Sequence, residues 1–519
     1  MAKLYFYALR TTHYARPARV HHLSWLLGLS LIFLASRLYN LTILPIFLDE
    51  SLHILWALDM LKSGSWLAGD GARLLPLWIL RLLLPSASDI LWSGRLASVF
   101  ISLAAALSCY LVGRGLFNRR VGLVTFGLYT LSPFTLNNDR LLIMTDVMLV
   151  MWAALAVWIS LKLAKTAPSW RQSLGLGLVL GLVPLTNLRG ILIWGLPFLA
   201  IGLLGQSQWR KLPKYLLVSY GLALLISAPV GWILRTGLQA SRGVSLAGNP
   251  ASTWLAYWAQ NGALLGSWLW AYLTPGLAIA LAAAMVLILR QQPKVGLLLI
   301  GWGLTFMLPW VLLAESWYPR YILPACPALF LLLGYLLDSL WQGWGQWPVQ
   351  RGPLGLGLAG LALLLSGPAL YFDYWQLHNP AVAPYPAADR FQYIEGWSSG
   401  YGVREVVATL RGRAAAQGEI FVALDHNVSK LMGQFAFESW REPEPALHLL
   451  DVKDQELSSQ AIYQQVALSP RPVYWVAGDE HGADPLDQAA LSLVRVEPVA
   501  SFARPGNKSH LYVYYLSAK

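Results

Sequence analysis

Two adjacent carboxylates, Asp49 and Glu50, follow directly after the first long apolar segment of the chain, within the stretch Leu48–His53. Acidic side chains at the mouth of a membrane span are costly and usually serve a function. A carboxylate held in such a place can accept a proton from a reacting group. We therefore expect Asp49 to be the base of a membrane-embedded transferase, and the alternative is a solvated pair that ends a helix.

The elements that would position these acids are membrane spans. The chain has 519 residues, of which 56% are hydrophobic and 12% charged, whereas soluble domains contain about 25% charged residues. About 20 mostly apolar residues are enough to cross a bilayer. Eleven such segments are predicted, at 24–44, 88–113, 121–138, 142–161, 174–190, 191–207, 214–233, 263–289, 295–314, 321–340 and 353–371. The stretch 174–207 is ambiguous, and two short helices joined at Thr186–Gly190 are one way to divide it.

The distribution of basic residues predicts the orientation of these spans. Up to Phe372 the chain carries 26 Lys and Arg against 9 Asp and Glu, a net charge of +17. The basic residues concentrate in the N-terminus and in every second connection, and cytoplasmic loops are enriched in Lys and Arg. The N-terminus is thus predicted to be cytoplasmic in the plasma (inner) membrane, and nucleic-acid binding is not needed to explain the charge. Asp49 and seven of the other acids then fall on the extracytoplasmic side.

The last part of the chain has the composition of a soluble domain, with a net charge of −5 from Asp373 onward. Short runs rich in β-branched and aromatic residues predict strands, and they lie at 419–424, 472–477 and 511–516. Helices are predicted at 405–413 and 458–468. We expect an extracytoplasmic α/β domain over residues 373–519, preceded by a transmembrane catalytic domain over residues 1–372.

A site that faces away from the cytoplasm restricts the possible chemistry. The chain has no GxxxxGK[ST] motif and no GxGxxG after a strand, the usual signatures of nucleotide binding. An activated donor must then come from the membrane, and a polyprenyl-phosphate sugar meets that need. Its transfer requires a base for the acceptor and cationic groups for the departing phosphate. Candidates to bind the phosphate are Arg73, Arg189, Arg320, Tyr318 and Tyr321.

Four motifs in order resemble those of a known family. The stretch Leu48–His53, with 60–66 after it, resembles the first outer loop of the protein O-mannosyltransferase family. This family includes the lipid A aminoarabinose transferases and belongs to the GT-C glycosyltransferases (family 39-like). Segments 132–146 and 319–324 resemble its second acidic motif and its Arg-Tyr-x-x-Pro motif. Segment 186–190 resembles its Thr-Lys-x-x-Gly turn, with Asn187 in place of Lys.

The resemblance covers about residues 24–340 and implies a GT-C fold and inverting transfer from a polyprenyl-phosphate sugar. It implies that Asp49 is the base, that Asp146 is a supporting acid and that Glu50 orients the first loop. The implied phosphate contacts are Arg320, Tyr321 and Arg73. The C-terminal part does not match the β-trefoil of the eukaryotic mannosyltransferases. The acceptor is therefore left open as a lipid, a glycan or a protein.

Several candidates have a simpler structural alternative. Asp146 can pair with Arg140 or cap the following helix, and the simplest expectation for Glu315 is an ion pair with Arg320. His53 lies one turn after Asp49 and can face the site or bind a metal, although a lone histidine is more often a satisfied interface residue. Some GT-C enzymes use a divalent metal, but no set of side chains here makes a convincing ligand group.

Two other classes of function compete with a transferase. A transporter or flippase of lipid-linked sugars often shows internal repeats and charges near the bilayer midplane, whereas this chain shows no repeat and its charges cluster near one surface. A non-catalytic membrane scaffold leaves the grouping of Asp49, Asp146 and Arg320 unexplained. A glycosyltransferase therefore fits the sequence best.

Overall fold

Apolar helices dominate the first three quarters of the chain in the computed structural model. The structure describes residues 18–67, 73–205, 210–235, 254–344, 366–441, 447–449, 471–479 and 494–518. Among these residues, six helical segments are long and apolar enough to cross a membrane, which makes the chain a multi-pass membrane protein. They are Ile90–Leu116, Thr145–Lys165, Leu212–Ile233, Leu255–Gln291, Pro293–Leu313 and Pro319–Gln342.

The helices of this region are numbered here in chain order. They are α1 (Ala18–Leu38), α2 (Leu48–Ser63), α3 (Leu74–Leu83), α4 (Ile90–Leu116), α5 (Arg119–Thr130), α6 (Pro133–Asp139), α7 (Thr145–Lys165), α8 (Trp170–Thr186), α9 (Leu196–Leu204), α10 (Leu212–Arg235), α11 (Trp254–Gln291), α12 (Pro293–Leu313), α13 (Cys326–Trp344) and α14 (366–378). Two 3₁₀ segments, Leu188–Gly195 and Pro319–Ala325, precede α9 and α13.

Several predicted spans are interrupted. The segment 121–138 is two helices, because Pro133 cannot continue the hydrogen bonding of α5 and instead starts α6. The segment 174–207 divides at Asn187, which confirms two short helices with a 3₁₀ turn between them. Most of segment 353–371 lies outside the described residues, so the count of eleven spans stays a prediction.

The span predicted at 263–289 is the most altered, since α11 starts already at Trp254. This 38-residue helix contains a kink at Thr274, whose φ of 62° lies in the left-handed region, directly before Pro275. A β-branched residue seldom adopts that conformation, so the kink must be held in place by the packing around it.

Helices α4 and α5 approach each other through small residues. A Cβ atom added to Gly113 of α4 would lie 2.9 Å from the Cα atom of Gly122 in α5. Such close approach between membrane helices is typical where glycines face each other, because the backbones themselves make the van der Waals contact. Helix α4 of this pair also packs against α7.

All strands of the described chain follow residue 419 and form one mixed sheet. The strands are β1 (Ile420–Leu424), β2 (Leu447–Leu449), β3 (Val473–Gly478), β4 (Val494–Ala503) and β5 (His510–Ala518), in the order β2-β1-β3-β5-β4. Strand β1 runs parallel to β2 and β3, and β5 runs antiparallel to β3 and β4. The three predicted strands are confirmed, whereas β2 and β4 were not predicted.

Three helices accompany this sheet: α16 (Val403–Gln417), α17 (His426–Ser429) and α18 (Gly433–Arg441), after the short α15 (Ala387–Arg390). Helix α16 confirms the helix predicted at 405–413 and packs Val406 and Leu410 onto the sheet. The helix predicted at 458–468 lies outside the described residues. Helix α18 contacts α2, where the Gly433 amide donates to the Ser51 hydroxyl at 2.6 Å. The division into domains 1–372 and 373–519 stays a prediction.

Candidate functional site

The loop between α1 and α2 is held by a buried arginine of α4. The Arg95 guanidinium donates to the backbone carbonyls of Leu41, Leu44 and Pro45 at 2.8 to 3.1 Å. These bonds satisfy backbone acceptors that the non-helical residues 39–47 leave unpaired. Asp49 then stands in the first turn of α2, where a carboxylate is favoured by the partial positive charge of the helix terminus.

Glu50 is fully buried and is bound on both oxygens. It accepts from Arg95 Nε and Nη2 at 2.8 Å each, from the Phe47 amide at 2.8 Å and from the Leu142 amide at 2.6 Å. Every lone-pair direction that such a carboxylate usually uses is thus occupied. Glu50 therefore connects the loop before α2 to the turn before α7. Both of its oxygens are occupied by these hydrogen bonds.

The turn before α7 is strained and is anchored by two side chains. Ile143 has a φ of 39°, an unusual value for a β-branched residue. Its amide donates to the Ser98 hydroxyl at 2.5 Å, beside the bond from Leu142 to Glu50. Strained backbone of this kind persists only where neighbouring contacts fix it. The turn places Asp146 in the first turn of α7, buried.

Two acids and two arginines from four separate elements meet in one cluster. Arg320 Nη2 lies 2.8 Å from Asp49 Oδ2, and Arg320 Nε lies 3.9 Å from Asp146 Oδ2. Arg189 Nη2 lies 3.3 Å from the other oxygen of Asp146. The elements that carry these residues are α2, α7 and the two 3₁₀ segments. The predicted convergence of Asp49, Asp146 and Arg320 is thus present, and Arg189 joins it.

Aromatic rings support both arginines of the cluster. The Arg189 guanidinium lies 3.8 Å from the centroid of Tyr321, and that of Arg320 lies 5.1 Å from Tyr318 and 5.4 Å from Phe47. A guanidinium stacked on a ring keeps its edge donors available for an anion. Tyr318 and Tyr321, predicted to donate hydrogen bonds to the donor phosphate, therefore lie beside the arginines of the cluster.

His53 and Arg73 form a neighbouring pair. Arg73 Nη1 lies 3.2 Å from His53 Nε2, and because a guanidinium only donates, Nε2 must accept and the proton must reside on Nδ1. Burial and, next, the positive charge of Arg73 lower the pKa of His53 to about 3, so the imidazole is neutral at physiological pH. No group of three or more His, Cys, Asp or Glu that could hold a metal occurs among the described residues.

Asp49 is ionised at neutral pH. Burial opposes its ionisation, but the positive charge of Arg320, followed by that of Arg73, outweighs burial and holds the pKa of Asp49 below its ordinary value. The positive charge of Arg189 acts in the same direction to a smaller extent. The carboxylate is therefore ready to accept a proton but is only weakly basic while Arg320 remains paired with it.

Two sequence candidates do not join the cluster. Arg140 donates to the backbone carbonyls of Tyr39 and Asn40, so the structural alternative in which Asp146 pairs with Arg140 is wrong. Glu315 is exposed, and within the described ranges Arg320 forms its ion pairs with Asp49 and Asp146. The predicted ion pair between Glu315 and Arg320 is therefore wrong as well, because the 3₁₀ turn at 319–325 directs Arg320 toward α2 and α7.

Two further residues, Arg95 and Gln392, bind the cluster or its supports and were not predicted from the sequence. Arg95 carried a detectable signature, since an arginine within an apolar segment must have a partner. Gln392 accepts a hydrogen bond from Arg320 Nη1 at 2.6 Å, and nothing in its local sequence sets it apart. Its contact depends on a fold that brings residues 72 positions apart together.

Comparison with known proteins places this arrangement in context. The sequence model of the dolichyl-phosphate-mannose-protein mannosyltransferase family matches residues 72–233. Two curated relatives from Pseudomonas fluorescens are named undecaprenyl phosphate-alpha-4-amino-4-deoxy-L-arabinose arabinosyl transferases. The one from strain Pf0-1 is 26% identical over 360 residues, which cover 64% of this chain and 62% of the relative. The one from strain ATCC BAA-477 is 26% identical over 372 residues, which cover 65% and 63%.

The chain therefore spans about three fifths of the length of these relatives. Two crystal structures of ArnT from Cupriavidus metallidurans share its fold. The apo state has a TM-score of 0.57 at 15% identity and covers 95% of this chain and 97% of ArnT. The state bound to undecaprenyl phosphate has a TM-score of 0.55 at 15% identity and covers 96% and 98%. The predicted membrane α-helical GT-C fold and the resemblance to this glycosyltransferase family are confirmed.

Proposed function

We propose that the chain is an integral-membrane inverting glycosyltransferase that moves a sugar from a polyprenyl-phosphate donor to an acceptor. The observation that carries this proposal is the joint placement of Asp49, Asp146, Arg189 and Arg320 at the ends of apolar helices. An acid to take a proton and cations to receive a phosphate are the two requirements of such a transfer.

In the proposed reaction Asp49 takes the proton of the acceptor as the acceptor atom attacks the anomeric carbon. The bond between that carbon and the phosphate oxygen breaks, with inversion. The donor phosphodiester leaves as a polyprenyl phosphate that carries one more negative charge than before. The proton stays on Asp49 until solvent removes it. A phosphate is a good leaving group, so no second carboxylic acid needs to protonate it, unlike in most glycoside hydrolases.

Arg320 connects the donor to the base. In the unliganded arrangement Arg320 pairs with Asp49 at 2.8 Å and lowers its pKa. A donor phosphate that shares the Arg320 guanidinium draws part of this positive charge away from Asp49. The pKa of Asp49 then rises toward the working pH, which is the condition for an effective general base. Binding of the donor phosphate thus makes Asp49 a stronger base than it is in the unliganded arrangement.

The other residues of the cluster have supporting roles in this proposal. Arg189, Tyr321 and Arg73 complete the phosphate site, and Asp146 holds Arg189 and Arg320 in place. Glu50 is a positioning residue that acts through Arg95 and the turn before α7 rather than on substrate. The neutral His53 orients Arg73.

The proposal also specifies the donor class, the membrane in which the chain lies and its orientation there. Undecaprenyl phosphate is the carrier in the names of the curated relatives and is bound in one ArnT structure, which supports a donor of that class. We also propose the plasma (inner) membrane as the location, with a cytoplasmic N-terminus, eleven spans and an extracytoplasmic domain over 373–519. The basic connections between spans support this orientation. The acceptor is a lipid, a glycan or a protein.

The proposal is tested with purified protein in lipid nanodiscs. Undecaprenyl phosphates that carry 4-amino-4-deoxy-L-arabinose or mannose serve as donors, lipid A serves as the acceptor probe, and release of undecaprenyl phosphate is measured. In the Arg320→Ala variant we expect the KM for the donor to rise about tenfold or more, the loss of one strong charge-assisted contact, with the acceptor KM nearly unchanged.

Arg290→Ala is the matched control, because Arg290 is an exposed arginine in the last turn of α11, outside the cluster. It should leave both KM values unchanged. Equal losses for donor and acceptor in Arg320→Ala would overturn the phosphate role. Failure of the unsubstituted protein to release undecaprenyl phosphate from either donor would overturn a transferase of this donor class.

A further inference from the structure

We infer that Gln392 is a positioning residue that fixes Arg320 for donor binding, so that the segment after the last membrane helix completes the phosphate site. This inference rests on the proposed function. Gln392 is buried, and its Oε1 atom accepts from Arg320 Nη1 at 2.6 Å. Gln392 is uncharged, unlike Asp49 and Asp146, the two carboxylates that also face this guanidinium.

The contacts of Arg320 divide between charged and neutral groups. Nη2 binds Asp49, Nε faces Asp146 at 3.9 Å, and Nη1 binds Gln392. The two carboxylates reduce the positive charge that Arg320 offers to a phosphate. An amide oxygen fixes the orientation of the guanidinium without adding a negative charge. Glutamine therefore suits this position better than a third carboxylate, because a buried phosphate site needs a net positive field.

The segment that carries Gln392 is built tightly against the loop that carries Asp49. Residues 391–395 form a π-helical turn, closed by the bond from the Gly396 amide to the Phe391 carbonyl at 2.7 Å. Single π turns are frequent at functional sites. The Ser398 hydroxyl donates to the Gln392 carbonyl at 3.0 Å, and the Ser398 carbonyl accepts from the Leu48 amide at 3.1 Å. Gln392 is thus linked through Ser398 by two hydrogen bonds to Leu48, the residue before Asp49.

A second contact fixes the same segment. Gly400 lies so close to the Ile46 carbonyl oxygen that an added Cβ would collide with it. Only glycine permits such an approach between two backbones. Asp389, three residues before Gln392, accepts a hydrogen bond from Tyr272 of α11. The segment is therefore held at both ends, and Gln392 is placed by its backbone rather than by Arg320 alone.

Two substitutions separate positioning from a structural role. Gln392→Met keeps the volume but removes the acceptor, and Gln392→Glu keeps an acceptor but adds a negative charge. Binding of undecaprenyl phosphate to protein in nanodiscs is followed by tryptophan fluorescence. We expect Gln392→Met to weaken this binding about tenfold, as for the loss of a hydrogen bond to a charged group. Gln392→Glu should weaken it as well, with an unchanged melting temperature.

The donor KM should rise with the Kd in both variants while the acceptor KM stays constant. Gln376→Met is the matched control, since Gln376 is also buried and donates to the Pro133 carbonyl at 3.1 Å. It should leave the affinity for undecaprenyl phosphate unchanged. A merely structural Gln392 would instead give a normal Gln392→Glu variant and a Gln392→Met variant with equal losses for donor and acceptor.

The outcomes also separate this inference from the proposed function. If the unsubstituted protein binds undecaprenyl phosphate and transfers sugar but both Gln392 variants bind it normally, the inference is wrong and the proposed function stands. If the unsubstituted protein neither binds undecaprenyl phosphate nor transfers sugar, the proposed function itself is wrong. If Gln392→Met does not fold, a Gln392→Glu variant with normal donor affinity still overturns the inference.

Discussion

Conversion of a carboxylate to an amide should have different effects at the two adjacent acids. At Glu50 it should destabilise the fold, whereas at Asp49 it should lower the rate of transfer and leave the protein folded. Each oxygen of Glu50 accepts two hydrogen bonds, one from Arg95 and one from a backbone amide. In a glutamine at this position, the NH2 group replaces one of these oxygens. Whichever way the amide is turned, this group then points at two hydrogen-bond donors and can accept from neither. Glu50→Gln thus loses two hydrogen bonds to a charged group, each worth about 1.5–3 kcal/mol.

The total agrees with the general cost of removing one partner of a buried ion pair, about 3–5 kcal/mol. This is a large part of the roughly 5–15 kcal/mol by which most proteins are stable. In contrast, Asp49→Asn keeps an oxygen that can accept from Arg320, which also retains Gln392 and Asp146. It loses the base, whose contribution is typically about 10²–10⁴ in rate.

Both variants are purified under one detergent condition, and thermal unfolding and sugar transfer are measured. We expect Glu50→Gln to unfold at a clearly lower temperature and Asp49→Asn to stay folded with at least about a 100-fold lower rate. The double variant Glu50→Gln/Arg95→Met serves as control, and it should be more stable than the sum of the two single losses. Glu50→Gln with normal stability, or Asp49→Asn with normal turnover, would refute this reasoning.

Further predictions concern two buried groups near the cluster. Burial raises the pKa of Asp389 to about 7, against the opposing effects of the Tyr272 hydrogen bond and Arg320. Since the folded state holds this proton more tightly than the unfolded state, whose aspartates titrate at about 3.9, stability is lost as the pH rises from about 4 through 7. The melting temperature of Asp389→Asn should therefore rise relative to that of the unsubstituted protein between pH 5 and pH 8. A difference in melting temperature that stays constant over this range would contradict the raised pKa of Asp389. His53→Gln keeps an acceptor for Arg73 and should preserve the pH profile of transfer, whereas His53→Leu should raise the donor KM. A pH profile altered by His53→Gln would mean that His53 titrates in the working range.

The sequence allowed much of the cluster to be predicted because its members flank the ends of apolar segments. Asp49 follows α1, Asp146 opens α7, and Arg320 precedes α13. The predicted parity of the spans puts these ends on one side of the membrane, which is a precondition for their convergence. The order of the family-like motifs supplied the rest of the prediction, and helix packing supplies the contacts themselves.

The partners of these residues were not predictable in the same way. Glu50 and Arg95 are 45 positions apart and meet only because α4 packs behind the loop at 39–47. The interruptions at Pro133 and Thr274 likewise lie inside stretches that hydropathy alone treats as continuous. Glu315 shows the opposite error, since closeness in sequence to Arg320 suggested a pair that the direction of the 3₁₀ turn prevents. Sequence places groups at helix ends, but tertiary packing decides which groups touch.

The charge of the cluster explains why its acids and arginines belong together. Asp49 and Asp146 bring two negative charges, and Arg73, Arg189 and Arg320 bring three positive charges, so the site is positive by one unit before the donor arrives. A donor phosphodiester with one negative charge makes it neutral. On transfer the phosphate gains a negative charge while Asp49 loses one by accepting the acceptor proton, so the sum stays at zero. In a buried site an uncompensated charge is expensive. A cluster that stays neutral from bound donor to bound product avoids that cost at each step. Adding or removing one of its charged side chains should therefore impair transfer more than the loss of a single contact would.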